Sequence, residues 1–146
     1  MKPSKRTIQE MKVKRLYREC LEFMGIDPAD APKLKVTHRF NRAYEVRSGK
    51  HDLYGAYGSY HHEIEIFVKE FTIRRIFNDE VILETIAHEL THFVQRNRYA
   101  TSKEFMTEYH YQTDMNGYND NRFEVEARAE GLRIAVEMTG KQPVKL

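Results

Sequence analysis

Two histidines four residues apart, within a long segment of helical apolar periodicity, most strongly constrain the fold of this chain. Residues 88 to 92 read His-Glu-Leu-Thr-His, and apolar residues recur around them at steps of three and four. Asn78 and Asp79 are favourable N-caps, so the pattern predicts a helix that ends near Asn97 or Arg98. Residues four apart on a helix share one face. The two imidazoles can therefore converge on one point at the border of the core.

The residue types in this segment suit a zinc site. Two histidines at this spacing can ligate one ion, and Glu89, one step round the helix, can reach a water bound to it. A catalytic zinc usually takes three protein ligands, so His88 and His92 need one partner. Gln95 and Arg98 stand where the metzincin pattern has Gly and His. The third ligand must therefore come from elsewhere in the chain.

A final helix is predicted from about Asn121 to Thr139, with Gly140 as its C-terminal stop. Its core-facing stripe is predicted to consist of four apolar residues: Val125, Ala129, Leu132 and Val136. Gly131 costs about 1 kcal/mol in a helix interior relative to Ala. Either another backbone packs closely against this glycine or its cost is uncompensated.

Charge spacing separates the glutamates of this last helix. Glu124 has Arg128 four residues later, a favourable surface ion pair that explains Glu124 without a metal. Glu126 has Glu130 at that spacing, and like charges there are mildly destabilising. If Glu126 binds zinc, Glu130 can accept the free N–H of a liganding histidine. We therefore predict Glu126 as the third ligand and Glu130 as the supporting carboxylate.

The assignment of the third ligand is not unique. Three further acidic residues could take this role: Glu124, Asp114 and Asp120. Arg122 and Arg133 could instead neutralise Glu126 and Glu130 on a solvated helix face, without any metal.

The sequence His88-Glu89-Leu90-Thr91-His92, followed by Glu126-Ala127-Arg128-Ala129-Glu130 on a later helix, resembles the gluzincin clan of zinc metallopeptidases. The chain length and the order of elements are similar to those of the compact minigluzincins. The resemblance implies one catalytic Zn²⁺ and a zincin-like fold, with Glu89 as the general base that activates a zinc-bound water. It also implies that residues 63 to 68 form an edge strand along which an extended peptide pairs. It offers no position for a histidine or tyrosine that would stabilise the transition state.

The patterning predicts an α+β fold in a single domain of residues 1 to 146. An N-terminal helix is predicted from about Lys5 to Met24, followed by β-type alternation between Lys33 and Val68. We expect a small, twisted, mostly antiparallel sheet of three or four strands, one of them at Tyr44 to Val46, then the active-site helix and the glutamate helix. The polar stretch from Thr101 to Asn121 is either irregular or one short helix.

Composition limits the possible location and partners. The single cysteine, Cys20, has no internal partner, and the N-terminus has no apolar signal region, so a cytoplasmic location is expected. No run of residues approaches the length of a membrane span. The net charge is +2, too small to favour nucleic acid as a partner. The sequence indicates no oligomeric state.

Three functions fit these observations. The first is zinc-dependent hydrolysis of peptide bonds in a protein or peptide substrate, by an endopeptidase of narrow specificity. The second is a catalytically silent, zinc-stabilised binding domain that holds a partner through its basic N-terminal helix. In the third, no metal binds and the histidines are ordinary polar residues beside the core.

Overall fold

The computed structural model describes residues 2–42 and 52–145, which form five helices and three strands. In chain order these are α1 (Lys5–Met24), β1 (Lys33–Thr37), β2 (Gly55–Gly58), β3 (Glu63–Phe67), α2 (Val68–Thr72), α3 (Asp79–Arg96), α4 (Ser102–Asn116) and α5 (Arg122–Thr139). The predicted α+β class is confirmed. The strand predicted at Tyr44 to Val46 lies outside the described residues.

Side-chain caps and glycines place the helix ends where the sequence predicts them. Ser4 caps α1, and Gly25 ends it with a left-handed φ of 69°. The Asn78 side chain accepts a hydrogen bond from the Val81 amide and so begins α3. Asn121 caps α5 in the same way, and Gly140, with φ 70°, ends it. The predicted bounds of all three helices are confirmed within one or two residues.

The sheet is mixed, with the strand order β1-β3-β2. β1 runs parallel to β3, whereas β2 runs antiparallel to it. The prediction of a mostly antiparallel sheet is therefore wrong for one of the two pairings. The segment between β1 and β3 is long enough for the crossover that a parallel pair requires.

The strand expected at the edge lies at the centre of the sheet. β3 is paired on both sides among the described residues, and helix α2 begins at Val68. Ile64 and Ile66 are fully buried against the helices, which suits a central strand. Within the described residues, β2 is instead the edge strand beside α3, where a Cβ at Gly55 would come within 2.8 Å of Thr85 and 3.3 Å of Glu89.

Helix α3 is the centre of the core. Of its 18 residues 13 are buried, so it packs against neighbours on most of its surface. Ile82, Ile86 and Leu90 form its fully buried stripe, as predicted, while His88 and His92 remain slightly exposed beside it. Helix α1 packs on α3 through residues such as Leu16.

Helix α5 buries a different face from the predicted one. Val125 is 48% exposed and Leu132 40% exposed, so the predicted stripe faces solvent for much of its length. The buried face consists of Phe123, Glu124, Ala127, Gly131, Ile134 and Ala135. A Cβ at Gly131 would stand 2.8 Å from the Glu84 carbonyl oxygen and 3.3 Å from the His88 Cβ. The close backbone packing considered for Gly131 is confirmed, and its partner is α3.

The stretch from Thr101 to Asn121 contains α4, which is longer than the short helix considered from the sequence. The Thr101 side chain caps it, and Phe105 is its one buried residue. Its polar character therefore reflects exposure rather than lack of structure. Among the described residues, no helix combines the length and apolar character needed to cross a bilayer.

Gly131→Ala tests the contact between α3 and α5. Alanine normally stabilises a helix interior by about 1 kcal/mol over glycine. Here we expect a loss of about 1–3 kcal/mol of unfolding free energy, because the added methyl group meets the rigid backbone of Glu84. Denaturant unfolding measures the change, with exposed Ala129→Gly as a propensity control. A stabilised Gly131→Ala protein would show that the helices are not in contact there.

Candidate metal centre

Helices α3 and α5 bring two imidazoles and one carboxylate together. His88 Nε2 lies 3.1 Å from Glu124 Oε1, and His92 Nε2 lies 3.1 Å from Glu124 Oε2. All three side chains are buried, and their ligand atoms lie within 4.8 Å of one another. The predicted convergence of the two histidines is thus present, with Glu124 as the third member of the group.

Glu124 takes the place predicted for Glu126. Helix residues that are two positions apart in sequence are separated by about 200° around the axis. Glu124 and Glu126 therefore point in nearly opposite directions. Glu124 is 3% exposed and faces α3. Glu126 faces outwards, where Arg98 donates to both of its carboxylate oxygens at 2.9 and 3.1 Å. The surface pair predicted between Glu124 and Arg128 is absent, since Arg128 donates to the Asn119 carbonyl instead.

Glu130 also lies away from the histidines. Arg133, three residues later, donates to its carboxylate at 2.7 Å on an exposed part of α5. The neutralisation considered from the sequence is thus present for Arg133, whereas Arg122 pairs with Glu108. Asp114 and Asp120, which the sequence also allowed as third ligands, are exposed and do not belong to the group.

Gln95 supplies the support that the sequence assigned to Glu130. Its side-chain nitrogen donates to the Phe123 carbonyl at 2.9 Å and to Glu126 Oε1 at 2.8 Å. With the nitrogen committed to two acceptors, the Gln95 oxygen must accept, and it lies 2.8 Å from His92 Nδ1. His92 therefore carries its proton on Nδ1. Glu126 acts on the centre only indirectly, by fixing the Gln95 amide.

The tautomer of His92 indicates whether a metal ion fits between the two histidines and Glu124. When His92 is neutral, its Nε2 lone pair points at a carboxylate oxygen 3.1 Å away, and two acceptors repel unless a cation lies between them. Tetrahedral zinc with bonds of about 2.0–2.1 Å would hold its ligand atoms about 3.3 Å apart, close to the observed separations. A His₂Glu set is also a known catalytic zinc donor set. The residues present fit the ion.

The electrostatics of the metal-free group agree with this interpretation. Burial alone would raise the pKa of Glu124, but the charge of His92 and the hydrogen bonds from both histidines lower that pKa well below its usual range. Burial likewise lowers the pKa of His92, but Glu124 and Gln95 outweigh burial and raise it overall. In the metal-free chain the Glu124 carboxylate and the His92 imidazole therefore each favour the charged form of the other.

Glu89 is buried beside this group, close to two further carboxylates. It is 2% exposed, and its Oε2 has no hydrogen-bond partner among the described residues. Burial raises its pKa well above the usual value, and the nearby carboxylates Asp52 and Glu124 raise it further. An oxygen atom of Asp52 lies within 4.8 Å of ligand atoms of both Glu89 and His88. A buried carboxylate with a free oxygen, close to a metal group, is typical of a catalytic acid or base.

Two tyrosines complete the group. The Tyr109 hydroxyl donates to Glu124 Oε2, and Tyr118 lies close to the same carboxylate. Burial, together with the charge of Glu124, raises the pKa of both tyrosines, so both hydroxyls remain protonated. Neither role was predicted: Tyr109 lies on α4, which the sequence left unresolved, and Tyr118 follows that helix. The tyrosine-rich composition of this stretch was the available signal.

A cavity of about 120 Å³ opens beside the group. His88, Glu89, His92, Glu124 and both tyrosines line it on the polar side, together with Asp52. Its other lining residues come from β2 and α4: Gly55, Ala56, Tyr57, Phe105 and Met106. The centre is therefore accessible to a small group and bordered by an edge strand.

Comparisons with protein-family models, with curated proteins and with solved structures give no match for this chain. What the centre binds must therefore be inferred from its own residues.

Zinc titration of matched variants tests the assignment of the third ligand. Glu124→Gln removes a ligand, so zinc affinity should fall by more than the about 10- to 100-fold that loss of an outer partner costs. Glu126→Gln removes the same charge but only an indirect contact with the centre. Its loss of zinc affinity should therefore stay within about 10- to 100-fold. Competition with a chromophoric chelator measures both affinities. A larger loss for Glu126→Gln would return the ligand role to that residue.

The pH dependence of unfolding tests the environment of Glu89 in the metal-free protein. Because folding raises the pKa of Glu89, the folded chain holds this proton more tightly than the unfolded chain. The stability that this bound proton contributes is fully present below 4.5, the pKa of Glu89 in the unfolded chain. That stability is lost as the pH rises through the pKa of Glu89 in the folded chain. The unfolding free energy of Glu89→Gln should therefore exceed that of the wild type by about 1–3 kcal/mol at neutral pH, and the difference should be smaller in acid.

The control for this measurement is Glu80→Gln, which removes one carboxylate from the start of the same helix. Because Glu80 lies outside the buried group, its replacement should not give the gain in unfolding free energy at neutral pH that is expected for Glu89→Gln. A Glu89→Gln protein whose stability difference from the wild type is the same in acid and at neutral pH would contradict the proposed environment of Glu89.

Proposed function

We propose that this chain is a zinc-dependent hydrolase of peptide bonds. The observation that carries the proposal is the convergence of His88, His92 and Glu124 beside the buried carboxylate of Glu89, whose Oε2 is free. Three protein ligands leave one position of a tetrahedral ion for water or substrate, which distinguishes a catalytic site from a closed structural one. The adjoining cavity gives that position access to solvent.

His88, His92 and Glu124 would hold the ion. Bound there, zinc would lower the pKa of a coordinated water and polarise the carbonyl of the scissile bond. By accepting a hydrogen bond from His92 Nδ1–H, Gln95 would keep the Nε2 lone pair available to the ion. The Tyr109 hydroxyl donates a hydrogen bond to Glu124 Oε2. These contacts orient the ligands before any metal arrives.

Glu89 would act as the general base. Glu89 lines the cavity, and its Oε2 has no hydrogen-bond partner among the described residues that would compete for a proton from water. A raised pKa brings a carboxylate closer to neutral pH, which allows it to take the proton and then pass it to the leaving amine. Tyr109 and Tyr118 line the same cavity, and either hydroxyl could donate to the oxygen of the scissile carbonyl only after releasing its hydrogen bond to Glu124.

Strand β2 is placed to align a peptide. Within the described residues it pairs only with β3, so its other edge has backbone groups available. Gly55, Ala56 and Tyr57 of this strand line the cavity. An extended peptide that added to this edge would place its backbone beside the metal centre. This role replaces the one that the resemblance gave to residues 63 to 68.

A second candidate function is supported by helix α1. Its first two turns project from the core: Ile8 is 54% exposed and Met11 60% exposed, next to the basic residues Lys5 and Arg6. Such a surface suits a binding partner and is independent of any catalysis. In that case the zinc group would only stabilise the domain, and the free Oε2 of Glu89 would have no role.

Glu89→Gln distinguishes the two functions. The variant retains all three ligands, so it should bind zinc like the wild type while losing about 10²–10⁴-fold in turnover. Cleavage of a peptide library by zinc-loaded protein, analysed by mass spectrometry with and without chelator, measures the activity, and Glu80→Gln serves as the control. Chelator-resistant cleavage, or full cleavage by Glu89→Gln, would contradict the mechanism. No cleavage by the zinc-loaded wild type would favour the binding domain.

A further inference from the structure

A groove continues from the metal cavity along helices α3 and α5. Asp52, His88 and Tyr118 line both, so the two spaces are adjacent. Beyond these shared residues the groove is bordered by Tyr54 and Glu84, and Lys145 from the segment after α5 lies in it. Its volume of about 610 Å³ is ample for a long side chain.

Lys145 shows what this groove can bind. Its ammonium nitrogen lies 2.6 Å from Glu84 Oε1 and 5.1 Å from the centre of the Tyr54 ring. A carboxylate and an aromatic face together form a favourable environment for a cation. Burial alone would lower the pKa of Lys145, but Glu84 and Asp52 outweigh burial and raise it. The groove thus stabilises a charged ammonium group that it partly removes from water.

The groups that contact this ammonium are held in place by the core. Tyr54 is 7% exposed and belongs to the hydrophobic core, and the Glu84 side chain is 19% exposed. Lys145, by contrast, keeps 37% of its side chain exposed and follows the end of α5 in a segment without helix or strand. The receiving groups are therefore more buried than the lysine that contacts them.

The two arginines nearest to these groups are already paired elsewhere. The Arg74 guanidinium also lies over the Tyr54 ring, but it is paired with Glu70 at 2.7 Å. Arg128 lines the groove and donates to the Asn119 carbonyl. Glu84 has no ion pair with either arginine among the described residues, so displacement of Lys145 would leave its negative charge for another ammonium or guanidinium group.

The position of Glu84 relates the groove to the reaction centre. Glu84 precedes His88 by four residues on α3, so the two lie on one face and are separated by about 6 Å along the axis. An extended peptide rises about 3.3 Å per residue. A side chain bound at Glu84 would therefore belong to a residue about two positions from the bond held at the metal.

We propose that the groove formed by Glu84, Tyr54 and Asp52 is a subsite for a lysine or arginine side chain of a peptide substrate. The proposal rests on the function proposed above and names the class of substrate: peptides with a basic residue near the scissile bond. Lys145 occupies the subsite in the free chain and must leave it when such a substrate binds. The opposing interpretation is that the contact of Lys145 with Glu84 is only a structural clamp for the end of the chain.

The binding experiment uses the full chain carrying Lys145→Met, loaded with zinc, so that the subsite has no internal ammonium. The probes are two fluorescent peptides, Lys-Gln-Pro-Val-Lys-Leu, which repeats the end of this chain, and the same peptide with its second lysine replaced by methionine. An ion pair and a cation–π contact together predict a preference of about five- to thirtyfold for the lysine peptide. Fluorescence anisotropy measures both dissociation constants.

Adding Glu84→Gln to Lys145→Met should abolish the preference, whereas adding Glu80→Gln, one turn earlier on α3, should leave it intact. Thermal unfolding confirms that each variant is folded. Equal affinities for the two peptides on Lys145→Met, or a preference that survives Glu84→Gln, would overturn the subsite and leave Lys145 as a clamp.

Cleavage separates a failure of the subsite from a failure of the proposed function. In the peptide library, we expect lysine and arginine to be enriched about two positions from the cleaved bond for Lys145→Met, and Glu84→Gln should remove the enrichment. Cleavage without basic enrichment would overturn the subsite and leave the hydrolase intact. A lysine preference in binding without any zinc-dependent cleavage would support the subsite and overturn the hydrolase.

Discussion

The close approach of α3 and α5 determines the rest of the site. At Gly131 the helices are so close that a methyl group would meet the Glu84 carbonyl oxygen and the His88 Cβ. Residue 124 precedes residue 131 by seven positions, about two turns, so both lie on one face of α5. The contact that seats Gly131 against α3 therefore also directs Glu124 between His88 and His92. The composition of the centre is a consequence of helix packing.

The sequence was sufficient to predict α3 and its two histidines, because helical periodicity, an N-cap and the four-residue spacing are local properties. It was not sufficient to identify the carboxylate that lies beside them. The choice depended on which face of α5 is buried, and the apolar residues Val125 and Leu132 indicated the exposed one. Gly131 held the better signal: its close packing, already considered from the sequence, is in phase with Glu124 and out of phase with Glu126.

The pairing of the strands could not be predicted from the local sequence pattern, for a different reason. The alternation of Glu63 to Ile66 identifies β3 as a strand but carries no information on its neighbours. Its two buried isoleucines, Ile64 and Ile66, suit a central strand equally in parallel and antiparallel sheets. The resemblance placed this strand at an edge, whereas the described part of the sheet gives that position to β2, which faces Glu89 through Gly55. The groups that border the site thus depend on long-range pairing.

The metal-free centre contains one arrangement that disfavours folding and a second that does so whenever His92 is neutral. Glu89 is buried without a hydrogen bond to its Oε2 from the described residues, and a neutral His92 would direct a lone pair at Glu124. The surrounding core fixes α3, and the Gln95 amide fixes the His92 ring. A divalent ion would remove the second cost by lying between the two acceptors, but it would leave the first in place. A residual cost at Glu89 after metal binding is what the proposed catalysis would require, since a base must remain free to accept a proton.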